Sequence, residues 1–378
     1  MFVAVYIYFF LVSCVLALLF IPIVRNFAIN KGILDHPSKR KIHDHAIPLL
    51  GGLGIFLAFL AILYLHLAFV HIVNWFGIMP EFLPPRASVL LRGIPLVLDK
   101  INILVIGGVC IVLIGLFDDI FKLSVRQRLA FETLVAIFIV SMGIRPELYI
   151  FPSWLAWTLS VIWLVGISNA FNLIDGMDGL AGGIAFIAAM ILALTMATHN
   201  QPMVAVLLFT IAGATLGFLK FNFPPANIYL GSCGSLFLGY ILATTIMVST
   251  MMTETDGSLV ALFMPVMVLG IPLYDTLHVI VSRLMSHRSP FLADTNHIHH
   301  RLHRLGFSRR KTVLLILLFC FCIGINATLL IDASPWMRVV LFVQILATFG
   351  LFFVIETVRR PAPPAPPVDE ESDPHLQP

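Results

Sequence analysis

The chain has 378 residues, of which 59% are hydrophobic and 11% charged, and its formal net charge is +3. A soluble domain carries roughly 25% charged residues, so this composition excludes one, and most of the chain must be solvated by lipid. The apolar stretches are continuous runs and not period-two alternations of about 10 residues, which excludes a β-barrel and leaves an all-α polytopic bundle.

A bilayer core about 30 Å thick takes roughly 20 apolar residues per helix. A window of that length predicts eleven spans, at 3–24, 49–70, 101–117, 128–144, 153–170, 179–198, 203–221, 235–252, 258–280, 312–332 and 337–357. The first lacks a basic n-region and a small-residue cleavage site, so it reads as a retained span and not a signal peptide. All but Arg86, Arg92, Lys100, Arg145 and Arg338 of the 23 basic residues fall on one side of this topology. By the positive-inside rule the amino terminus is then outside and the carboxyl terminus cytoplasmic. Residues 1–357 are expected to form a single transmembrane domain. The Pro-rich, acidic tail 358–378 cannot bury apolar surface and is expected to be disordered. The five cysteines form no CxxC pair and read as small hydrophobes, apart from Cys233 in a polar loop.

Six polar segments interrupt the spans and open on the same side, which makes them one active-site candidate. DHPSKRKIH (35–43) offers Asp35, Lys39, Arg40, Lys41 and His43, either as phosphate contacts or as an ordinary cytoplasmic flank. The stretch from His71 to Leu98, with Pro80, Pro84, Pro85 and Pro95, predicts an external loop holding at most one surface helix. Asp118 and Asp119 end the third run. Adjacent carboxylates repel unless a cation or a shared proton neutralises them, and a divalent ion is the simplest partner. The alternative is an interfacial pair with Arg126 or Lys122 as counterions. Glu132, in the fourth span, is assigned no role.

In NAFNLIDGMDG (169–179), Asn169, Asn172, Asp175 and Asp178 recur every three residues, which places them on one helical face if the helix continues through Gly176. Such oxygen donors suit magnesium or hydrogen bonds to a nucleobase or ribose, whereas a capping turn would need only one of them. FNFPPANIYLGSCGS (221–235) is the fourth segment. PLYDTL (272–277) puts Asp275 inside the ninth run, where an unpaired charge costs about 2.5–3.5 kcal/mol, so a paired or functional carboxylate is expected. DTNHIHHRLHRLG (294–306) concentrates His297, His299, His300, His303, Arg301 and Arg304. That density suits anionic phosphate better than a transition metal, with a solvated basic loop as the alternative. No HExxH occurs.

Together DHPSKRKIH, PLLGGLGIF, the DD pair, NAFNLIDGMDGLAGG, GSCGSLFLGY, PLYDTL and HIHHRLHRLG resemble the polyprenyl-phosphate N-acetylhexosamine-1-phosphate transferases over nearly the whole chain. The HIHHRL form is similar to the branch using simple UDP-linked amino sugars. The resemblance implies transfer of a sugar 1-phosphate, foremost GlcNAc-1-phosphate, from a UDP-N-acetylhexosamine to undecaprenyl phosphate with release of UMP. It also implies a multi-pass bacterial inner-membrane enzyme with its site on the cytoplasmic face, needing magnesium, with manganese as an alternative. Membrane lipid is an expected partner and nucleic acid is not; a homodimer is left open. By matched motif, Asp118 deprotonates or orients the lipid phosphate with Asp119 beside it, and Asn172, Asp175 and Asp178 hold the nucleotide. His297, His299, His300 and Arg301 grip the diphosphate, and Lys39 and His43 assist on the lipid side.

Two departures stand out. Ser232 occupies the position of the family's main metal-ligand Asp, and a hydroxyl is a weaker ligand for a hard dication. Leu49 and Leu50 replace an Arg before the early Gly-Gly. Asp119 or Asp178 is therefore expected to take over metal binding. The competing readings are a non-catalytic lipid- or nucleotide-binding scaffold and, further off, a secondary transporter.

Overall fold

The computed structural model describes residues 2–36, 46–76, 85–146, 151–250, 259–287, 289 and 297–357. Lys39, His43, residues 291–296 and the tail lie outside them. Among the described residues thirteen helices follow in order: α1 (Val3–Asn30), α2 (Gly51–Phe76), α3 (Pro85–Phe121), α4 (Val125–Ser141), α5 (Ser153–Ile174), α6 (Leu180–Thr198), α7 (Pro202–Asn222), α8 (Gly231–Thr250), α9 (Leu259–Val268), α10 (Gly270–Met285), α11 (Ile298–Arg304), α12 (Arg309–Leu329) and α13 (Pro335–Thr357). Two antiparallel two-residue strands, β1 (Leu34–Asp35) and β2 (Ile47–Pro48), bracket the first polar segment.

Among the described residues nine helices are long and apolar enough to cross a membrane, against eleven predicted spans. The other two predictions fall on α4 and on the pair α9–α10. Helix α4 has 17 residues and carries Arg126, Arg128 and Glu132. The predicted span 258–280 is broken after Val268, because Pro272 has no N–H to return to the Val268 carbonyl and its ring crowds that position. Helix α10 then buries Asp275, Val279 and Arg283 on one face and exposes Leu277, Val281 and Leu284 on the other. The stretch between spans two and three also differs from expectation. Among its described residues, 71–76 complete α2 and 85–98 are the first turns of α3, which runs 37 residues without a break, so these residues form no separate surface helix.

Helix α8 is the axis of the bundle. Its apolar window is 89% buried, against 17% for α13 and 22% for α1, and it packs on α2, α3, α5, α6 and α7. Small residues permit this, since helices in lipid associate through close backbone approach. A Cβ on Gly52 would lie 1.9 Å from the Cα of Gly234, so the starts of α2 and α8 touch backbone to backbone. The approach is fixed by Gly51 and Gly52 N–H groups donating to the Tyr229 and Leu230 carbonyls, both at 2.9 Å. Gly231, at φ +74°, turns the chain into α8 in a conformation that favours glycine.

Candidate active site

Helix α3 ends where Lys122 adopts φ +54°, and α4 restarts at once through a capping box in which Ser124 and Gln127 each satisfy the other's backbone N–H. This tight joint fixes the last turn of α3. Asp118 and Asp119 are adjacent there, so they point in different directions. The Asp119 carboxylate accepts hydrogen bonds from the backbone N–H of Ser232 (2.8 Å) and of Cys233 (3.2 Å), capping α8 from across the bundle. An anion suits the positive end of a helix dipole. Asp118 turns toward α4 and pairs with Arg128 at 3.2 Å. Its counterion is thus neither Arg126 nor Lys122.

Helix α5 stops at Ile174, with Asp175 as its C-terminal cap. The continuation through Gly176 on which a shared helical face depended does not occur, and Asn169 leaves the set, donating instead to the Glu132 carboxylate. Asn172 donates to Ser235 Oγ at 3.0 Å. Beyond the helix end, a short loop carries Asp175 and Asp178 to the same place. The loop is stapled by Asn222, which accepts from the Gly179 N–H at 2.9 Å and donates to the Ile228 carbonyl at 2.9 Å. Asp178 accepts from the Ala226 N–H at 3.0 Å.

These pieces surround one open cleft of about 440 Å³. Asp119, Asn172, Asp175, Asp178, Asn222 and Ser232 line it, with Lys122, His300 and Arg309 supplying basic groups and Asp35, Leu49 and Tyr229 along the remaining wall. Five of the six polar segments thus reach one cavity. The sixth contributes indirectly. Asp275 is fully buried and accepts from the Ile298 N–H at 2.7 Å, while His297 Nδ1 lies 2.8 Å and Arg301 3.7 Å from its carboxylate. It is the paired carboxylate expected inside an apolar run, and it anchors α11.

That anchoring corrects the reading of the histidine segment. His297 and Arg301 face Asp275, and His299 is buried against Gly176, where a Cβ would stand 2.3 Å from its Nε2. Burial, and secondarily the neighbouring His300, push the His299 imidazole down to about 3, so it is neutral at physiological pH. Of the four residues expected to grip phosphate, His300 alone lines the cleft. Arg309, at the start of α12, and Lys122 line it too. Arg309 lay outside the motifs, and its signal was the basic run SRRK opening a span.

A sequence profile for the family described as Glycosyl transferase family 4 matches residues 101–250. The chain is 34% identical over 352 residues to a probable undecaprenyl-phosphate N-acetylglucosaminyl 1-phosphate transferase of Bacillus subtilis (strain 168), covering 89% of this chain and 90% of that protein. It is 30% identical to an undecaprenyl-phosphate alpha-N-acetylglucosaminyl 1-phosphate transferase of Thermotoga maritima, covering 78% and 80%. The chain belongs to this family. A family member of Escherichia coli (strain K12) with the same transferase name is 28% identical, covering 88% and 86%. The resemblance carried by the motifs is therefore borne out.

In this glycosyl transferase family 4 chain the cleft's donor set suits a hard cation by chemistry, being carboxylate, amide and hydroxyl oxygen. Among the described residues, however, no three His, Cys, Asp or Glu groups already stand at metal-holding distance. Magnesium binds through one or two carboxylates plus substrate phosphates, so such a cleft fits it together with a phosphate-bearing substrate. The expected substitutes for the missing ligand at Ser232 are partly committed: Asp119 accepts two backbone hydrogen bonds and Asp178 one. Asp175 is different. Burial, then the charges of Asp119 and Asp178, push its carboxyl from 3.8 up to about 8.

A carboxyl with a raised folded pKa favours the protonated form, so its contribution to stability is full below about pH 4 and declines as pH rises toward 8. A cation must displace that proton. Magnesium affinity of the purified protein, measured by calorimetry with UMP present, is expected to rise by up to about tenfold per pH unit below pH 8, and Asp175→Asn to lose that dependence.

Proposed function

We propose that this chain transfers N-acetylglucosamine 1-phosphate from UDP-GlcNAc to undecaprenyl phosphate, as the first membrane step of a cell-surface polysaccharide. The convergence of Asp119, Asp175 and Asp178 with Lys122, His300 and Arg309 on one cleft supports this reading, as do the transferase names of relatives matched over most of the chain. Neither alternative is favoured. A transporter needs charged groups near mid-membrane on broken helices, whereas these polar groups gather at one end of the bundle, at the mouths of α1, α3, α5, α7 and α12. The side rich in Lys and Arg faces the cytoplasm of the bacterial inner membrane.

In the reaction an oxygen of the lipid phosphate attacks the β-phosphorus of the UDP-sugar. The bond from that phosphorus to the bridging oxygen breaks, UMP leaves with the electron pair, and a lipid diphosphate sugar remains. Both reactants are anions, so the site must neutralise charge where it gathers. Asp175 with Asp178 or Asp119 would hold magnesium, which would supply part of that neutralisation when bound. Lys122, Arg309 and His300 offer the protein's own donors to the phosphates. Asn172 and Asp178 orient the nucleotide. Asp119, which faces the cleft, takes the acceptor-orienting role that the motif alone gave to Asp118, and Lys39 and His43 are retained on the lipid-phosphate side.

Magnesium-dependent release of labelled UMP from UDP-GlcNAc, with undecaprenyl phosphate in micelles, tests the assignment. Ser232→Asp restores an anionic oxygen at the cleft wall and is expected to lower the magnesium concentration for half-maximal release about tenfold or more. A native chain inactive at saturating magnesium beside an active Ser232→Asp variant would reject the compensating role of the other carboxylates.

A further inference from the structure

We propose that Glu132, acting through Arg128 and Asp118, is a positioning residue for Asp119 in the transfer reaction; this rests on the function proposed above. Glu132 sits in α4 at 1% exposure, and the mechanism makes no use of it. One of its oxygens accepts from Asn169 Nδ2 on α5, and that same amide also donates to the Val165 carbonyl at 2.9 Å. The other oxygen stands 3.4 Å from Arg128 Nε one turn earlier on α4. Arg128 in turn donates from its terminal nitrogen to Asp118 Oδ2 at 3.2 Å. The chain of contacts therefore runs from α5 through α4 to the last turn of α3.

Its geometry gives it a consequence beyond neutralising charge. Consecutive helical residues point about 100° apart, so holding Asp118 against α4 sets the rotation of the last turn of α3. That rotation places Asp119 over the Ser232 and Cys233 N–H groups at the start of α8 and on the wall of the cleft. The left-handed turn at Lys122 and the Ser124 capping box leave little slack between the two helices. A guanidinium held by one carboxylate alone has more orientations than one held by two. Removing the Glu132 charge frees Arg128, loosens Asp118 and lets Asp119 leave its amides.

Glu132→Gln keeps the side chain's shape and an acceptor for Asn169 while removing the charge. The expected result is a fall in kcat of about tenfold or more with KM for UDP-GlcNAc within about twofold, as for an outer contact that orients an inner group. Combined with Asp118→Asn it should cost no more than Asp118→Asn alone, because both break one chain. A second readout needs no turnover. Cys233 is buried and its backbone N–H donates to the Asp119 carboxylate, so in a background with Cys14, Cys110, Cys320 and Cys322 changed to alanine, N-ethylmaleimide should label it about tenfold faster in Glu132→Gln. Unchanged kcat, additive losses, or unchanged labelling would overturn the proposal. Should Glu132→Gln fail to fold, the quadruple variant Asp118→Leu, Arg128→Met, Glu132→Leu, Asn169→Leu replaces the whole network by apolar groups, a change such networks often tolerate; native kcat and labelling there would equally overturn it. If the wild-type protein released no UMP, the assigned reaction would fall while the labelling comparison still judged the positioning role.

Discussion

Gly52→Ala is expected to lower sharply the yield and thermal midpoint of folded protein. The added Cβ would stand 1.9 Å from the Cα and 2.3 Å from the N of Gly234. Both are backbone atoms, so no rotamer change relieves the contact, and α2 and α8 must separate. Overpacking in a close-packed interior costs typically about 1–3 kcal/mol, and a backbone-to-backbone clash belongs at or above the upper end. Separation would also stretch the hydrogen bonds from Gly51 and Gly52 to Tyr229 and Leu230, which hold the wall of the cleft. Against a net stability of about 5–15 kcal/mol that is a large fraction. The measurement is the yield of monodisperse protein after detergent extraction, with its thermal midpoint. Gly166→Ala is the control: it lies within α5, and a Cβ there meets nothing within 4 Å, so a gain of about 0.5–1 kcal/mol is expected. Equal behaviour of the two variants would refute the close-approach argument.

Asp119→Asn carries the second large effect, on activity more than on folding. The carboxylate accepts from two backbone N–H groups at once. An amide of the same shape keeps one acceptor and turns a donor toward the other N–H, leaving a buried donor unpaired at about 1–3 kcal/mol. It also removes the anion from the positive end of α8. Loss of a preorganised electrostatic group at a reacting centre typically costs about 10²–10³-fold in kcat, and a fall of that order in UMP release is expected. A second signature separates this from misfolding. Asp119 contributes to the raised Asp175 carboxyl after burial, so in Asp119→Asn the midpoint of the pH-dependent magnesium affinity should move below about 8. A variant that lost activity with that midpoint unmoved would show the two carboxylates to be uncoupled.

How far the site could be read from the residues varies by segment. The NAFNLIDGMDG spacing brought Asn172, Asp175 and Asp178 to one place, but for a different reason from the helical face inferred. The helix ends at Ile174, and the loop that replaces it is set by Asn222, 43 residues from the Gly179 N–H it accepts. No local pattern encodes such a staple. Asn169 was misplaced for the same reason, since its partner Glu132 lies on another helix. In the histidine segment, density of basic groups suggested phosphate contact, yet Asp275 draws His297 and Arg301 inward. Sequence showed that Asp275 needed a partner and did not show which.

Composition and run length by themselves determined that this is a helical membrane protein and where most of its helices lie, because solvation in lipid is a property of each segment on its own. The alternation of basic loops likewise placed the polar segments on a common side. Only the tertiary structure decided which of two adjacent aspartates faces the cleft, which histidine reaches it, and that a single predicted span is two helices. Those outcomes depend on hydrogen bonds and backbone approaches between residues far apart in the chain, and such contacts exist only once α3, α5 and α8 are packed together.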